Sequence, residues 1–157
     1  MRSCGILMHI TSLPSPYGIG TFGAEAERFA DWLRSAGQKY WQVLPIGPTG
    51  YGDSPYQPFS SFAGDPLLID LDELAENGYL ARSSVAEADY GADPTFVDYD
   101  KIRGVKMTLL KEAFAGFTDD VGYTSFVMDE GDWLEDYALF AALKERFGNR
   151  PWTEWEE

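Results

Sequence analysis

The sequence has few of the residues that build disulfides and metal sites. Its 157 residues include one cysteine, Cys4, and one histidine, His9. An intrachain disulfide is therefore impossible, which fits a reducing cytoplasm, and no Cys/His cluster indicates a metal site. No cofactor is expected. We expect Cys4 to be a packing residue in a short apolar strand, and His9, late in that strand, to be a hydrogen-bonded structural residue.

Basic residues are also scarce. The chain has 12 Lys and Arg and 26 Asp and Glu, which gives a net charge of −14, and all of the acidic excess follows residue 50. An acidic surface repels phosphate backbones and anionic lipid, so it argues against binding to nucleic acid or to a membrane. The early apolar run GILMHI is too short for a signal peptide or a membrane span. We therefore expect a cytoplasmic protein with uncharged partners.

The apolar pattern of the first 46 residues predicts an α/β fold. Residues 5–10 and 40–46 are short apolar runs that suit buried strands. Between them, Ala26, Phe29, Ala30 and Leu33 recur at helical spacing, and Gly37 suits the end of that helix. A strand, a helix and a strand within about 40 residues predict a βαβ unit with parallel strands.

The rest of the chain is predicted to consist of one long loop followed by helices. The segment GPTGYGDSPYQPFSSFAGDP, residues 47–66, has no helical or alternating period, and loops of this length are usually functional or disordered. Its aromatic residues argue for an ordered functional loop. Beyond it, we expect a short helix ended by Gly78, a polar connection over residues 81–98, and helices around residues 102–113 and 134–147.

Residues 18–23, GIGTFG, match the G-x-G-x-x-G fingerprint of dinucleotide-binding proteins. In that motif the strand ends directly at the glycine turn, whereas seven residues separate Ile10 from Gly18 here. The acidic residue expected about 20 positions further on is also absent, because the second strand ends in Leu44, Pro45 and Ile46. We therefore interpret these glycines as a tight turn into the helix. A nucleotide-binding domain stays an alternative that only this six-residue match supports.

The loop after the second strand has the composition of a sugar-binding site. Tyr51, Asp53, Ser54, Tyr56 and Gln57 fall within seven positions. An aromatic ring can pack against the C–H face of a sugar, and carboxylate, hydroxyl and amide groups can bind its hydroxyls. In parallel α/β folds, ligands bind where the strands deliver such loops. The same residues would also suit a turn held by Asp53 and Ser54 with buried tyrosines, and the pattern leaves both interpretations open.

Five segments carry a resemblance to a known family. They are GILMHITSLPSPYGIG, YWQVLPIGPTGYGDSPYQ, SFAGDPLLIDL, WLEDYALFAALKERFG and RPWTEW, and they occur in order along nearly the whole chain. In these segments the chain resembles the N-terminal part of the 4-alpha-glucanotransferases of glycoside hydrolase family 77, also called amylomaltases or disproportionating enzymes. The block YWQVLPIGPTGYGDSPYQ is the most specific of the five.

The resemblance implies a (β/α)8 TIM barrel about three times as long as this chain. Residues 1–66 would begin the barrel and carry its substrate-binding loop, residues 67–157 would form a mainly helical insertion subdomain, and the remainder of the barrel would be absent. The family transfers a segment of an α-1,4-glucan to the 4-hydroxyl of another glucan or of glucose by a retaining double displacement. Its partners are malto-oligosaccharides and α-1,4-glucans.

The resemblance also implies roles for single residues. Tyr56 resembles the aromatic platform beside the cleaved linkage, and Ser54 and Gln57 resemble nearby polar contacts. Asp53 is expected to support the loop or contact substrate, and Tyr51 resembles part of a secondary glucan site. The catalytic carboxylates of the family lie on later strands, so this chain is expected to contain no catalytic residue and to be inactive alone.

The sequence departs from the family at four positions. The family commonly shows HPTSLPG and FAGNP, where this chain has Ile10, Ser15 and Asp65. In some relatives the secondary site has a second aromatic residue where Arg103 stands here. The alternative to an enzyme portion is a stand-alone glycan-binding module that has the aromatic loop and no catalysis.

Overall fold

Two short parallel strands and the helix between them open the fold. In the computed structural model, which describes residues 2–93, 95–118 and 121–155 and only the backbone of Tyr51, β1 spans Gly5–Leu7 and β2 spans Tyr40–Gln42. The strands pair in parallel, with Ile6 opposite Trp41, so the predicted parallel order is confirmed. Both strands are shorter than predicted. The chain after β1 turns into a 3-10 helix at Ile10–Ser12, and Pro45 has no N–H to extend the ladder after β2.

Helix α1, Ala24–Ser35, packs against one face of this sheet. The Phe29 ring meets the Trp41 ring edge-on at 4.9 Å between centroids, and Trp41 Nε1 donates to the Met8 carbonyl oxygen at 2.7 Å. Gly37, with φ of +71°, follows the helix as predicted. The buried apolar residues beneath α1 are Ile10, Leu13, Ala26 and Leu68.

Three predictions of burial are wrong in and beside the sheet. Leu7 is 58% exposed and Tyr40 is 65% exposed on the face opposite α1, and Cys4, just before β1, is exposed as well. Side chains alternate between the two faces of a strand, so the neighbours of Ile6 and Trp41 point away from α1. Only the alternate residues of each strand therefore reach the core.

The glycines of the G-x-G-x-x-G match serve packing. A Cβ atom at Gly20 would overlap the backbone of Ile10 and Leu13, and one at Gly23 would overlap the carboxylate of Asp70. Helix α1 begins at Ala24, directly after Gly23. Gly20 and Gly23 therefore let two chain segments approach closely, while Gly18, with φ of +72°, has the backbone conformation of a turn.

Three helices complete the first of two compact units, which comprises Met1–Phe59 and Gly64–Phe117. They are α2, Leu71–Glu76, α3, Arg82–Glu87, and α4, Tyr99–Ala115. The predicted helix ended by Gly78 and the predicted helix around residues 102–113 are confirmed as α2 and α4. Helix α3 lies in the predicted polar connection, which is a correction. The core between these helices contains Leu71, Leu80, Val85, Leu109 and Ala113.

A buried lysine joins α4 to the segment before α2. Lys106 has no exposed surface, and its Nζ donates to the carbonyl oxygens of Leu67 at 2.7 Å and Ile69 at 2.6 Å. Asp70 caps α2 by accepting from the N–H groups of Asp72 and Glu73, at 2.9 and 3.1 Å. Lys106 thus holds the backbone between the loop and α2, and Asp70 holds the start of α2.

The second unit comprises Ser60–Ala63 and Thr118–Glu157. It contains α5, Val121–Asp129, α6, Leu134–Arg146, and a 3-10 turn at Trp152–Glu154. The predicted helix around residues 134–147 is confirmed as α6. Helix α5 was not predicted; unlike α6, which Gly148 and Pro151 follow, it has no proline to mark its end. The predicted division at residue 66, between a barrel start and a helical insertion, stays a prediction.

Candidate functional site

The loop that follows β2 folds back on itself and closes at its base. Thr49 and Pro58 form an antiparallel bridge, and the N–H of Phe59 donates to the carbonyl oxygen of Pro48 at 3.2 Å. Residues 50–57 form the tip between these contacts. The predicted ordered loop is therefore a closed structure with a defined tip.

The tip is built around one tight turn. Tyr51–Asp53 form a 3-10 turn in which the N–H of Asp53 donates to the carbonyl oxygen of Gly50 at 3.3 Å. Gly52 and Asp53 both have positive φ, +76° and +53°. Aspartate is one of the few residues other than glycine that adopts this conformation with some frequency. The turn ends at Asp53 and is followed directly by Ser54.

Three predicted binding residues follow this turn within the tip. Tyr56 is 69% exposed, so the alternative in which the tyrosines are buried is wrong for this residue. Gln57 is exposed, and Ser54 is half-buried with its Oγ accepting from the N–H of Tyr56 at 3.4 Å. The side chain of Tyr51, the predicted secondary-site residue, lies outside the described part of the chain. The tip thus carries an exposed aromatic ring, a hydroxyl and an amide within four consecutive residues.

Asp53 is held by a residue that lies 50 positions later. Arg103, on α4, donates from Nη2 to Asp53 Oδ1 at 2.6 Å and to Thr49 Oγ1 at 3.4 Å. Both partners of the ion pair are about one-third exposed. The sequence pointed to Arg103 only as a departure from the family. Its partner could not be predicted, because nothing in the local pattern brings α4 to the loop.

A cavity of about 150 Å³ lies where the chain leaves both strands. Leu44, Pro45 and Ile46, which follow β2, contribute apolar surface. The side chains with polar groups around it are His9, Thr11, Ser12, Thr49, Asp53, Asp65 and Tyr99. The segments that follow two parallel strands therefore border one common space, as in other parallel α/β folds. Asp53 belongs to both the loop tip and this cavity.

His9 and Asp65 in this cavity are both perturbed by burial. Burial lowers the pKa of His9, and the nearby charge of Asp65 opposes this shift. Burial also raises the pKa of Asp65, against the effect of the Leu67 N–H, which donates to its Oδ1 at 2.9 Å. His9 Nδ1 is buried and has no hydrogen-bond partner among the described residues. The prediction of a hydrogen-bonded histidine is therefore wrong for this nitrogen.

The aspartates around the loop each hold the structure together. Asp53 pairs with Arg103, Asp65 caps the 3-10 turn at Pro66–Leu68, and Asp70 caps α2. A general acid or a nucleophile must instead be free to reach a substrate. Each of the three carboxylates therefore has a structural contact in the fold.

The described residues contain neither a bilayer-spanning helix nor a cluster of metal ligands. In the described ranges, no helix has both the length and the apolar character needed to cross a bilayer. Over the same residues, no three His, Cys, Asp or Glu side chains converge as possible metal ligands.

Comparison with known proteins gives matches along the whole chain. A family profile described as 4-alpha-glucanotransferase matches residues 8–157. The 4-alpha-glucanotransferase of Thermus thermophilus is 51% identical over 160 residues, with 98% of this chain and 31% of that protein covered. The 4-alpha-glucanotransferase of Clostridium butyricum is 49% identical over 152 residues, with 96% and 31% covered.

A solved structure is also similar to this chain over its whole length. Amylomaltase from Streptococcus agalactiae, determined in complex with acarbose, is similar with a TM-score of 0.92 and 42% identity. All of this chain and 32% of that protein are covered, so the chain spans about a third of the length of the relatives it matches. By profile, by sequence and by structure, this chain belongs to the 4-alpha-glucanotransferase family, glycoside hydrolase family 77.

Proposed function

We propose that the protein acts as a 4-alpha-glucanotransferase. It transfers a segment of an α-1,4-glucan to the 4-hydroxyl of an acceptor glucan or of glucose. The observation that carries this proposal is the family match over residues 8–157, which includes the loop with the exposed Tyr56. The proposed role of this chain within the reaction is to bind the glucan.

The geometry of the loop tip supports this role. A pyranose ring has an apolar C–H face and a rim of hydroxyls, so it needs a flat apolar surface beside polar groups. We propose Tyr56 as the platform for a glucose unit and Ser54 and Gln57 as partners of its hydroxyls. Asp53 supports the tip through Arg103, and Tyr51 is the proposed contact of a secondary glucan site.

The proposed architecture is the start of a (β/α)8 barrel. The parallel order of β1, α1 and β2 and the cavity at the ends of both strands suit the first elements of such a barrel. The uncovered face of the sheet, with Leu7 and Tyr40, suits a strand pair that is covered by further elements. Residues 67–157 are the proposed helical insertion.

The proposed reaction is a retaining double displacement. One carboxylate attacks the anomeric carbon while a second carboxylic acid protonates the leaving oxygen, and a sugar hydroxyl then takes the place of water. We place neither carboxylate in this chain, because the catalytic carboxylates of the family lie on later strands; the structural contacts of Asp53, Asp65 and Asp70 are consistent with this proposal. The proposed setting is the cytoplasm, with neutral glucans as substrates, and neither nucleic acid nor membrane as a partner.

The activity is tested by comparing this chain with the product of the complete reading frame that encodes it. We expect the complete product to convert maltotriose into glucose and longer malto-oligosaccharides, and the 157-residue chain to be inactive. Turnover by the 157-residue chain would contradict its assignment as a portion without catalytic residues. A complete product that binds maltoheptaose but transfers nothing would favour a glycan-binding module.

The binding role of Tyr56 is tested by calorimetric titration with maltoheptaose. Tyr56→Ala should weaken binding about tenfold, since one aromatic contact contributes on the order of 1 kcal/mol beyond its buried area. Phe96→Ala is the matched control, because Phe96 is also 69% exposed but lies outside the loop. Equal losses in the two variants would show that binding does not depend on the loop.

A further inference from the structure

We propose that Arg103 of α4 is a positioning residue that fixes the glucan-binding tip through Asp53. The proposal rests on the proposed function of that tip and adds a residue to it. Arg103 is distant from the tip in sequence and is not offered as a contact of the sugar. Its role is to hold the turn Tyr51–Asp53, and hence Ser54 and Tyr56, in the conformation that binds.

The contacts of Arg103 reach the base and the tip of the loop at once. Its Nη2 lies 2.6 Å from Asp53 Oδ1 in the tip and 3.4 Å from Thr49 Oγ1 at the base. Thr49 Oγ1 also donates to Asp53 Oδ1 at 3.4 Å. One guanidinium therefore ties both ends of the segment from Thr49 to Asp53, which a planar group with several N–H donors can do.

The turn needs such support because its backbone is unfavourable. Two successive residues, Gly52 and Asp53, have positive φ, and Asp53 is not a glycine. The backbone hydrogen bond from Asp53 to Gly50 is long, at 3.3 Å. An ion pair that includes a hydrogen bond is among the stronger polar contacts, and this pair is only about one-third exposed, which limits its screening.

Arg103 is itself held on a rigid element. It lies in α4 between two fully buried residues, Ile102 and Lys106, which fix this turn of the helix to the core. The exposed carboxylate of Asp100 lies 3.7 Å from the other terminal nitrogen, Nη1. Through Arg103, the loop tip is therefore connected to a helix that is anchored in the core. A tip that is ordered before binding loses less conformational entropy when the glucan binds.

The test measures order in the tip separately from glucan binding. Amide hydrogen exchange over residues 50–57 is compared in the 157-residue chain and in Arg103→Gln, Asp53→Asn and their double variant. Asparagine tolerates positive φ, so Asp53→Asn removes the charge and leaves the turn possible. The matched control is Lys101→Gln, which removes another 2.6 Å ion pair of α4, to Asp89, away from the loop.

We expect amide exchange in the tip to be about tenfold faster in each single variant, because each loses one charge-assisted hydrogen bond. The double variant should exchange at the same rate as the single variants, because all three lose the same contact. Lys101→Gln should leave it unchanged. Arg103→Lys should restore part of the order, since an ammonium can pair with Asp53 without spanning to Thr49. Maltoheptaose affinity should fall about tenfold in Arg103→Gln, in parallel with the loss of order.

Unchanged exchange in the tip of both single variants would overturn the proposal. Faster exchange with unchanged maltoheptaose affinity would also overturn it, because the ordered tip would then not matter for binding. If Arg103→Gln does not fold, Asp53→Asn removes the same pair from the other side. If the unmodified chain binds no maltoheptaose, the proposed binding role of the loop fails in this chain. The exchange rates alone then decide whether Arg103 holds the tip.

Discussion

The pKa of the buried side chain of Lys106 is strongly shifted by its surroundings. Burial lowers the pKa of Lys106 to about 8, although the carboxylates of Asp70 and Asp65 oppose the shift. In the unfolded chain the same amine titrates near its ordinary value of about 10.5. Between these two values the unfolded state binds more protons than the folded state, so the contribution of Lys106 to the free energy of unfolding rises with pH.

We predict that this dependence is lost in Lys106→Met. The free energy of unfolding of the unmodified chain, minus that of the variant, should increase from pH 8 to pH 10.5 by on the order of 3 kcal/mol. Urea unfolding followed by tryptophan fluorescence at several pH values measures the difference. The subtraction removes the titration of tyrosines common to both proteins. A difference that is flat or falls over this range would show that Lys106 titrates normally in the fold.

At the scale of single residues, the sequence identifies some residues of the candidate site and not others. Tyr56, Ser54 and Gln57 are recognisable because they lie within one short segment that matches a family. The contacts of Arg103 with Asp53 and of Lys106 with the Leu67 carbonyl span 50 and 39 positions. A local pattern carries no information on such pairs, because they depend on how helices pack.

Among the elements, α2 depends most on its capping residue. The helix has only six residues, and an isolated helix of that length is not stable in water. Asp70 accepts from the N–H groups of Asp72 and Glu73 with one oxygen and from the hydroxyl of Thr21 with the other, at 2.5 Å. One carboxylate thus starts α2 and ties it to the segment before α1.

We predict that Asp70→Ala lowers the free energy of unfolding by more than Asp98→Ala does. Asp98 caps α4 through one bond, to the N–H of Lys101, and α4 has four buried residues to hold it. Loss of a capping residue costs about 1 kcal/mol, and Asp70→Ala should cost about 2 kcal/mol because the hydroxyl of Thr21 also loses its partner. Urea unfolding measures both variants. Equal losses would mean that the Thr21 contact contributes nothing.

The elements that the sequence predicts are those with a strong local signal. Helices α1, α4 and α6 combine apolar spacing with end signals such as Gly37 and Gly148. The short helix α3 was missed because one buried residue, Val85, anchors it, and one residue makes no period. The strands were predicted too long, since an apolar run does not reveal where the partner strand ends.

For the whole molecule, the two units differ in how much they bury. Helix α4 of the first unit buries Ile102, Lys106, Leu109 and Ala113. None of the described residues of α5 or α6 in the second unit is buried. Several large apolar side chains of the second unit are exposed instead, among them Val121, Met128, Leu139 and Trp152. Because burial of apolar area is the main stabilising contribution, the second unit should be the less stable one.

We therefore predict that the amides of α6 exchange with solvent much faster than those of α4. Hydrogen exchange followed by mass spectrometry on peptides from residues 99–115 and 134–146 compares the two helices in one experiment. Local opening of a poorly buried unit requires less free energy than global unfolding, so the peptides of α6 should reach full exchange first. Equal protection of α4 and α6 would mean that the chain unfolds as a single cooperative body.

The contacts of α4 also bear on how the chain folds while the ribosome makes it. The loop tip is synthesised before Arg103, and the carbonyl oxygens of Leu67 and Ile69 are synthesised before Lys106. Each segment therefore leaves the exit tunnel without its partner on α4. At about 5–20 residues per second, the 50 positions between Asp53 and Arg103 correspond to roughly 3–10 seconds of translation. During that interval the nascent aromatic loop lacks its contact with Arg103, and it is accessible to a chaperone that binds exposed aromatic segments.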